Sequence, residues 1–485
     1  MQVDGLAKDT VNNLTKDVYF MSDNLRALLL AISAALAAVV VALGLFLSSG
    51  QPTPTPSVLP STLPSPVAGV SPTPTPTPTQ SPSPQVTPST IKLLVGMTEG
   101  FEFTSKVTGA FLPSIAGVTV TLSEIQEVTT TIPTYKGARV GKYFDRVLPP
   151  TSTTVAGKRY WVDFTGVQPG KFYYILDGAQ IVIDVAPQVF AWPVPLYMEM
   201  QFSSVSTANG LADEGNTFAQ RIALNKQYAS ILRAHGVEPI KHGPWVYPNL
   251  TDPNFKTLAL DGRVAPPCLF GPSPEIAPTI AYLQSVQAAI VSGALPAGTY
   301  AYAWDEGEGS ASETAAALAR VKYIKQYAPA LKVMITRQYS AEFAPYVDIF
   351  VPVVNWFNQP GFVPASAYAN ETVWLYHSCM SANRCNNAAS ASAVDQLPSK
   401  FAMHAIDAPE TDPERFVTEA IAAGAKGLLY YNTTESITTS NAVGGQYKFG
   451  NNGDGNDLYP GLGYSKKLKF YRRGLNKEAL KRVGI

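Results

Sequence analysis

Two adjacent carboxyl groups are the sharpest chemical feature of this chain. In the segment AYAWDEGEGS (301–310) an apolar run leads directly into Asp305 and Glu306, and glycines follow. Successive strand residues point to opposite faces, so both carboxyls share a pocket only where the backbone leaves strand geometry, which glycines favour. Adjacent carboxyls raise each other's proton affinity, so one can stay protonated while the other is ionised, as glycoside cleavage requires. The alternative is an acidic loop end that caps a helix beginning near Ser310.

Aromatic, amide and imidazole side chains recur at the ends of other predicted strands. Aromatic rings bind the apolar faces of sugars, and amides and hydroxyls bind sugar hydroxyls. A single residue of this kind is usually packing, so their recurrence at one end of the fold is what favours a sugar site. The candidates are Trp245, Tyr247, Asn355, Trp356, Tyr376, His377, Tyr431 and Asn432.

The residues from 194 to 485 alternate short apolar runs with helical patterns. Eight such runs with helices between them predict a (β/α)8 TIM-like barrel with Asp305 at the end of the third strand, and an open doubly wound sheet is the alternative. Ser310 with Glu313 and Thr411 with Glu414 form predicted capping pairs at two helix starts. The predicted strands are 195–202, 238–246, 298–304, 331–337, 347–354, 373–378, 400–406 and 427–432, and the predicted helices lie around 217–235, 275–292, 311–327, 412–424 and 466–482.

The preceding residues, 91–193, contain short runs rich in Val, Thr, Tyr and Phe, separated by turns. Several strands at this spacing predict an antiparallel β-sandwich. No cluster of catalytic residue types stands out in it. We therefore expect an accessory domain in front of an α/β barrel.

The amino-terminal part predicts a membrane anchor. Residues 27–47 are uncharged and apolar and long enough as a helix to cross a hydrocarbon core of about 30 Å, whereas a cleaved signal peptide has a shorter apolar core. Basic residues precede this segment, at Lys8, Lys16 and Arg26, and no charge follows it until Lys92. The positive-inside rule then predicts a single-pass protein of the cell membrane with its N-terminus in the cytoplasm.

Two short regions flank the predicted anchor. Residues 1–26 form a short cytoplasmic segment, and residues 48–90 are rich in Pro, Thr and Ser. Such a sequence buries too little apolar surface to fold and is expected to be an extended, polyproline-like stalk. The stalk would hold the following domains outside the cell.

Composition excludes several classes of function. The 36 basic and 36 acidic residues balance to zero net charge, which argues against a nucleic-acid partner. The cysteines and histidines lack metal-binding spacing, and neither a metal nor a cofactor is predicted. Cys379 and Cys385 are either a small disulfide loop or two free thiols. A glycan substrate and the membrane are the predicted partners, and the oligomeric state stays open.

Five segments together resemble glycoside hydrolase family 123 and the related DUF4091 proteins. The resemblance implies a (β/α)8 catalytic domain over roughly 190–485, preceded by a sandwich, and places Asp454 and Tyr459 in the substrate-binding set. The matching segments are YAWDEGE (302–308), VWLYHSC (373–379), GAKGLLYYNTTES (424–436), GDGNDLYPG (453–461) and SKKLKFYRRGLNKEAL (465–480).

By this resemblance the substrate is a β-linked N-acetylhexosamine of the N-acetylgalactosamine type. Glu306 is then the general acid/base, and Asp305 orients the substrate's acetamido group and stabilises an oxazolinium-like intermediate. The chain departs from the family at Gly307, where the family often has Pro, and at Tyr431, where it often has Trp. The first departure bears on the rigidity of the loop and the second on the sugar specificity.

Two alternatives stay open at this point. One is a catalytically silent carbohydrate-binding or scaffold protein that keeps the same fold. The other is a glycosidase with two enzymic carboxylates, in which Glu308, Asp407 or Glu435 joins the pair.

Overall fold

The computed structural model describes residues 90–111, 114–211, 218–241, 243–272, 276–306, 309–378, 400–437, 447–448 and 451–485. The predicted cytoplasmic segment, membrane anchor and nearly all of the stalk lie outside these residues, as do Glu308, Cys379 and Cys385.

The first described residues form a two-layered β-structure. An antiparallel sheet has the order β2-β8-β5-β6, with β4 on β5, and a smaller mixed sheet has the order β1-β10-β9 because β1 runs parallel to β10. The alternating apolar residues of both sheets face each other in one core. The strands are β1 (Thr90–Val95), β2 (Thr98–Thr104), β3 (Gly109–Ala110), β4 (Ser114–Ile115), β5 (Val118–Thr130), β6 (Gly141–Thr151), β7 (Thr153–Thr154), β8 (Arg159–Gly166), β9 (Gly170–Leu176) and β10 (Ala179–Val189).

The following region forms a parallel sheet of seven strands within the described residues. Its order is β12-β11-β17-β16-β15-β14-β13, so the first strand along the chain lies between the second and the seventh. Most of its residues are buried on both faces, as expected for parallel strands covered by helices. The strands are β11 (Leu196–Glu199), β12 (Val237–Ile240), β13 (Tyr300–Trp304), β14 (Lys332–Ile335), β15 (Ile349–Phe350), β16 (Thr372–His377) and β17 (Gly427–Tyr430).

The predicted closed (β/α)8 barrel is wrong, because this sheet is a half-barrel with two edges, β12 and β13. The predicted strand at 400–406 does not join it, and β16 pairs directly with β17. The backbone donors of that segment bind elsewhere: the Met403 N–H donates to the Asp412 carboxylate (2.7 Å) and the Ile406 N–H to the Asn452 carbonyl (2.9 Å). Next to the β13 edge the described residues contain only an isolated bridge, between Cys268 and Tyr300.

Helices cover this sheet close to the predicted positions. Ser310 and Glu313 form the predicted capping box at the start of α4, whereas Thr411 makes no capping hydrogen bond at the start of α5. The helices are α1 (Phe202–Ala208), α2 (Phe218–Arg233), α3 (Ile280–Val291), α4 (Ala311–Tyr327), α5 (Asp412–Ala422) and α6 (Lys467–Arg482), with short helical turns at Pro253–Phe255, Lys256–Leu260 and Ala365–Tyr368.

The carboxyl-terminal residues return to the β-structure formed by β1 to β10, which is called the first layer below. β21 pairs with β6, which extends the antiparallel sheet beyond the residues expected to build it. At the start of α6 and within it, Lys466 binds Glu102 (2.8 Å) and Lys469 binds Asp163 (2.6 Å) across the same junction. The strands are β18 (Tyr447–Lys448), β19 (Asn451–Asn452), β20 (Leu458–Tyr459) and β21 (Gly463–Ser465).

The helices that the structure describes do not support the prediction of a membrane-spanning protein. Not one of them combines the length and the apolar character needed to cross a membrane. The longest of these helices, α4, has 17 residues and spans about 25 Å, short of a hydrocarbon core of about 30 Å, and it carries charged side chains. The expected location in the cell membrane is therefore not supported.

Candidate active site

The carboxyl ends of the seven parallel strands meet at one edge of the sheet, where sites form in folds of this kind. Polar side chains follow several of these strands directly. They include Glu199 at the end of β11, Lys241 after β12, Asp305 and Glu306 after β13, Thr336 after β14, Tyr376 at the end of β16 and Tyr431 after β17.

The backbone leaves strand geometry where the two acidic residues stand. The register between β13 and β14 shifts between Tyr302 and Trp304, and Glu306 has a φ of 47°. A residue with a side chain seldom adopts this left-handed conformation, and such strain is found preferentially at functional sites. The Glu306 N–H donates to the Thr336 hydroxyl at 2.8 Å, which holds the turn. Asp305 and Glu306 are both exposed at this edge.

The Asp305 carboxylate is held in one orientation by two buried hydroxyls. The Tyr302 hydroxyl and the Thr336 hydroxyl (2.7 Å) both donate to its Oδ1. Thr336 thus accepts from the backbone of Glu306 and donates to Asp305, so a single side chain ties the two acidic residues together. The sequence pointed to neither Tyr302 nor Thr336 as a functional residue, since a hydroxyl in an apolar strand is common.

A cavity of about 290 Å³ opens beside Glu306. Exposed Glu306 lines it together with Arg337 and Trp356, and buried Tyr376 lies at its wall. Burial first, and then the charges of Asp305 and Glu306, raise the pKa of Tyr376 above its ordinary value. Tyr376 therefore stays a neutral hydroxyl that can donate to a ligand.

A second charged pair, Glu199 and Lys241, lies near Asp305 and was missed at the sequence level. Lys241 Nζ lies 2.7 Å from Glu199 Oε2. Burial raises the pKa of Glu199, Lys241 opposes this shift, and the charge of Asp305 adds to it. The available signal was an acidic residue within an otherwise apolar run, YMEM (197–200).

The predicted sugar-binding aromatic residues divide between the cavities and the core. Trp356 lines the cavity beside Glu306, and its neighbour Asn355 is half-buried in the turn after β15. Trp245 lines a separate cavity next to Glu199. Tyr247 packs away from the acidic pair, since its hydroxyl donates to the Ile276 carbonyl.

Tyr431 and Asn432 lie after β17 in a tight turn. Burial first, and then the charge of Asp454, raise the pKa of Tyr431 above its ordinary value. Asn432 is buried; its amide donates to Glu435 Oε2 (2.8 Å) and its Oδ1 accepts from the Thr434 N–H (2.8 Å). Asn432 thus holds the turn together.

His377, the last residue of β16, belongs to a buried polar network. Its Nε2 lies 2.6 Å from the Ala402 carbonyl oxygen, and burial lowers its pKa to about 3. His404 lies in the same network, where its Nε2 is 3.0 Å from Asp457 Oδ1, and burial lowers its pKa to about 4. Both imidazoles are therefore neutral at ordinary pH.

Asp454 and Tyr459 are also buried. Burial raises the pKa of Asp454 to about 7, and the Tyr430 hydroxyl donates to its Oδ1 at 2.9 Å. Tyr459 lies in β20, where its hydroxyl donates to Asp145 at 2.6 Å and so binds the first layer. Neither Asp454 nor Tyr459 lines the cavity beside Glu306.

The remaining candidates do not join the acidic pair. Asp407 accepts from Thr134 and Asn452 at the junction with the first layer. Cys268 is a buried free thiol, and burial raises its pKa to about 12. Among the described residues no group of three or more His, Cys, Asp or Glu side chains is arranged to hold a metal ion.

Comparison with known proteins rests on three-dimensional structure. No family model and no curated protein matches the sequence. The family 123 glycoside hydrolase from Clostridium perfringens, studied for glycolipid glycan hydrolysis, is similar with a TM-score of 0.54, covering 81% of this chain and 84% of that chain at 11% identity. This chain shares its fold with that glycoside hydrolase.

More distant matches are β-glucuronidases. The enzyme from Parabacteroides merdae is 10% identical with a TM-score of 0.33, covering 78% of this chain and 52% of that chain. The enzyme from Dictyoglomus thermophilum is 9% identical with a TM-score of 0.27, covering 79% and 69%. Both TM-scores are too low to support an argument about this chain.

Proposed function

We propose that this protein is a glycoside hydrolase that cleaves β-linked N-acetylhexosamine glycans of the N-acetylgalactosamine type. The observation that carries the proposal is the Asp305–Glu306 pair, exposed on a strained turn at the carboxyl edge of a glycoside-hydrolase fold. Adjacent acidic residues with different surroundings are suited to separate acid and base roles.

Glu306 is the proposed general acid. In the first step it gives its proton to the glycosidic oxygen while the bond from that oxygen to C1 breaks, and the acetamido oxygen of the substrate forms a new bond to C1. In the second step water attacks C1, and ionised Glu306 takes the proton of that water as the acetamido oxygen leaves. Its exposure beside a cavity supports this role.

Asp305 is proposed to orient the acetamido group. Both hydroxyl donors bind Oδ1, and Oδ2 is assigned to the acetamido N–H. The negative charge of Asp305 then stabilises the positive charge that develops on the oxazolinium-like intermediate. Because the nucleophile belongs to the substrate, the mechanism needs no third carboxylate.

Hydrolysis by the purified protein tests the proposal. The substrates are 4-nitrophenyl β-N-acetylgalactosaminide and β-N-acetylglucosaminide, with the β-galactoside as the matched substrate without an acetamido group. We expect turnover only of the acetamido sugars.

Equal cleavage of the galactoside would contradict substrate assistance and favour a mechanism with two enzymic carboxylates. Retained glycan binding without turnover of any substrate would favour a silent carbohydrate-binding protein.

A further inference from the structure

A second cavity, of about 400 Å³, shares no lining residue with the cavity beside Glu306. Glu199 and Phe270 form part of its wall, and the Phe270 carbonyl accepts from the Tyr302 N–H of β13 at 3.1 Å, three residues before Asp305. The volume falls in the range of about 300–1,000 Å³ that is typical of small-molecule sites.

The backbone around this cavity is fitted to the side chains that line it. The Trp245 ring lies against the backbone of Gly243, where a Cβ would collide with it. Lys241 has a φ of 55°, and its aliphatic chain fills the space that a Cβ at residue 271 would need. The local backbone is thus shaped to hold the indole ring and the ammonium group in place.

The chemistry of the wall selects an uncharged, hydroxyl-rich ligand. The Glu199–Lys241 pair has no net charge, so it attracts neither anions nor cations strongly, yet its carboxylate accepts and its ammonium donates hydrogen bonds. Sugar hydroxyls both donate and accept. The Trp245 ring, packed edge-on against Phe255, supplies an apolar face for a pyranose.

The two cavities give the direction of the ligand. Glu306 marks the position of the leaving group at C1, and Asp305 marks the acetamido group at C2. The leaving group would occupy the cavity beside Glu306 and Trp356. The cavity with Glu199 shares no residue with it, so we assign that cavity to the other end of the ring, toward C3 and C4.

We propose that the cavity lined by Glu199, Lys241 and Trp245 binds a second neutral sugar attached to C3 or C4 of the N-acetylhexosamine. The enzyme would therefore accept a substituted acetamido sugar and not only a terminal one. This inference rests on the proposed function, because the positions of C1 and C2 come from the assigned roles of Glu306 and Asp305.

The test compares two substrates with the same leaving group. One is the 4-nitrophenyl β-N-acetylhexosaminide that the protein cleaves, and the other carries a galactose on C3 or C4 of that sugar. For the wild-type protein we expect kcat/KM for one of the galactosylated substrates to be higher by about tenfold, because only this substrate fills the cavity.

Ser203→Trp fills the cavity from an exposed position on α1. We expect it to remove the advantage of the galactosylated substrate, so the ratio of the two kcat/KM values falls about tenfold. Ser230→Trp places the same side chain on the exposed face of α2 and should leave this ratio at the wild-type value. Trp245→Ala removes the aromatic ring instead of filling the cavity, and it should also lower this ratio. It is the variant to use if Ser203→Trp does not fold.

Other outcomes separate the two proposals. Cleavage of the monosaccharide but not of either galactosylated substrate overturns the second-sugar site and leaves the proposed function standing. If neither class is cleaved, the proposed function fails, and calorimetric titration with the intact galactosylated glycosides decides the site. Binding that Ser203→Trp weakens supports the site, whereas absent or unchanged binding overturns it.

Discussion

Two polar regions lie within one fold, and they differ in burial rather than in residue type. At the carboxyl edge of β13, Asp305 and Glu306 are exposed beside cavities. In a second region, His404, Asp457 and Lys467 are buried, and Asp457 binds both of the other two side chains. The first region can exchange protons with a ligand, whereas the second holds the carboxyl-terminal segment in place.

The comparison shows how titratable residues of a site and of a scaffold are told apart. Buried polar groups bind each other because an unpaired one costs free energy, so a buried polar side chain that is bound within the protein belongs to the scaffold. His377 and Tyr459, expected in the site, have such partners. Glu306 differs from them in its exposure to solvent, on a strained turn.

The largest expected effect is a loss of activity when the exposed acidic pair is altered. Glu306→Gln removes the proposed acid, so kcat on an N-acetylhexosaminide should fall about a thousandfold or more while the protein keeps its melting temperature. Glu313→Gln alters the next described acidic residue along the chain, a helix cap, and should retain activity. An active Glu306→Gln enzyme would remove Glu306 from the mechanism.

A substitution in the buried region around Asp457 should lower the stability of the protein. Asp457→Asn leaves the buried Lys467 without its anionic partner, so we expect the free energy of unfolding in urea to fall by about 3 kcal/mol. Asp261→Asn breaks an exposed pair with Lys226 and should cost less than about 1 kcal/mol. Similar losses for the two variants would contradict the distinction between the regions.

The raised pKa of Asp454 predicts that the difference in unfolding free energy between Asp454→Asn and the wild type depends on pH. Its folded pKa is about 7, above an ordinary value of 3.8, so between these pH values only the unfolded state loses the proton and the wild-type protein loses stability as pH rises. Asp454→Asn removes this contribution. Its unfolding free energy relative to wild type should therefore rise by about 2–3 kcal/mol from pH 5 to pH 7, measured by urea denaturation.

The exposed Asp261→Asn variant provides the control for this series. A constant difference between Asp454→Asn and wild type across the same pH range would show that Asp454 is already ionised at pH 5 in the folded protein.

The smallest expected effect tests the link between the two acidic residues. Thr336→Val removes the hydroxyl that binds both Asp305 and the Glu306 backbone, and should lower kcat/KM about tenfold. Thr336→Ser keeps the hydroxyl and should restore most of the activity. A serine variant as impaired as the valine variant would point to packing instead of hydrogen bonding.

Local elements of the fold were predictable from the chain. Seven of the eight predicted strands of the second region form, because strands buried on both faces leave short continuous runs of apolar residues. The eighth, at 400–406, is apolar enough to resemble a strand, but it contains His404, whose partners Asp457 and Tyr471 come from later in the chain. Those partners, and not local propensity, decide its conformation.

The candidate site was predictable in part. Asp305 and Glu306 stood out because charges directly after an apolar strand are unusual. Glu199 and Thr336 did not, since their significance depends on Lys241 and on Asp305, which are 42 and 31 residues away along the chain. A single sequence contains no signal for such pairs.

The sequence by itself determined where strands and helices begin, how charge is balanced and where two carboxyls stand side by side. Tertiary structure alone decided that the parallel sheet stays open and which polar groups face solvent. The physical reason is range: backbone and periodicity preferences act over a few neighbouring residues, whereas sheet closure and burial depend on groups that are distant along the chain and meet only in the folded protein.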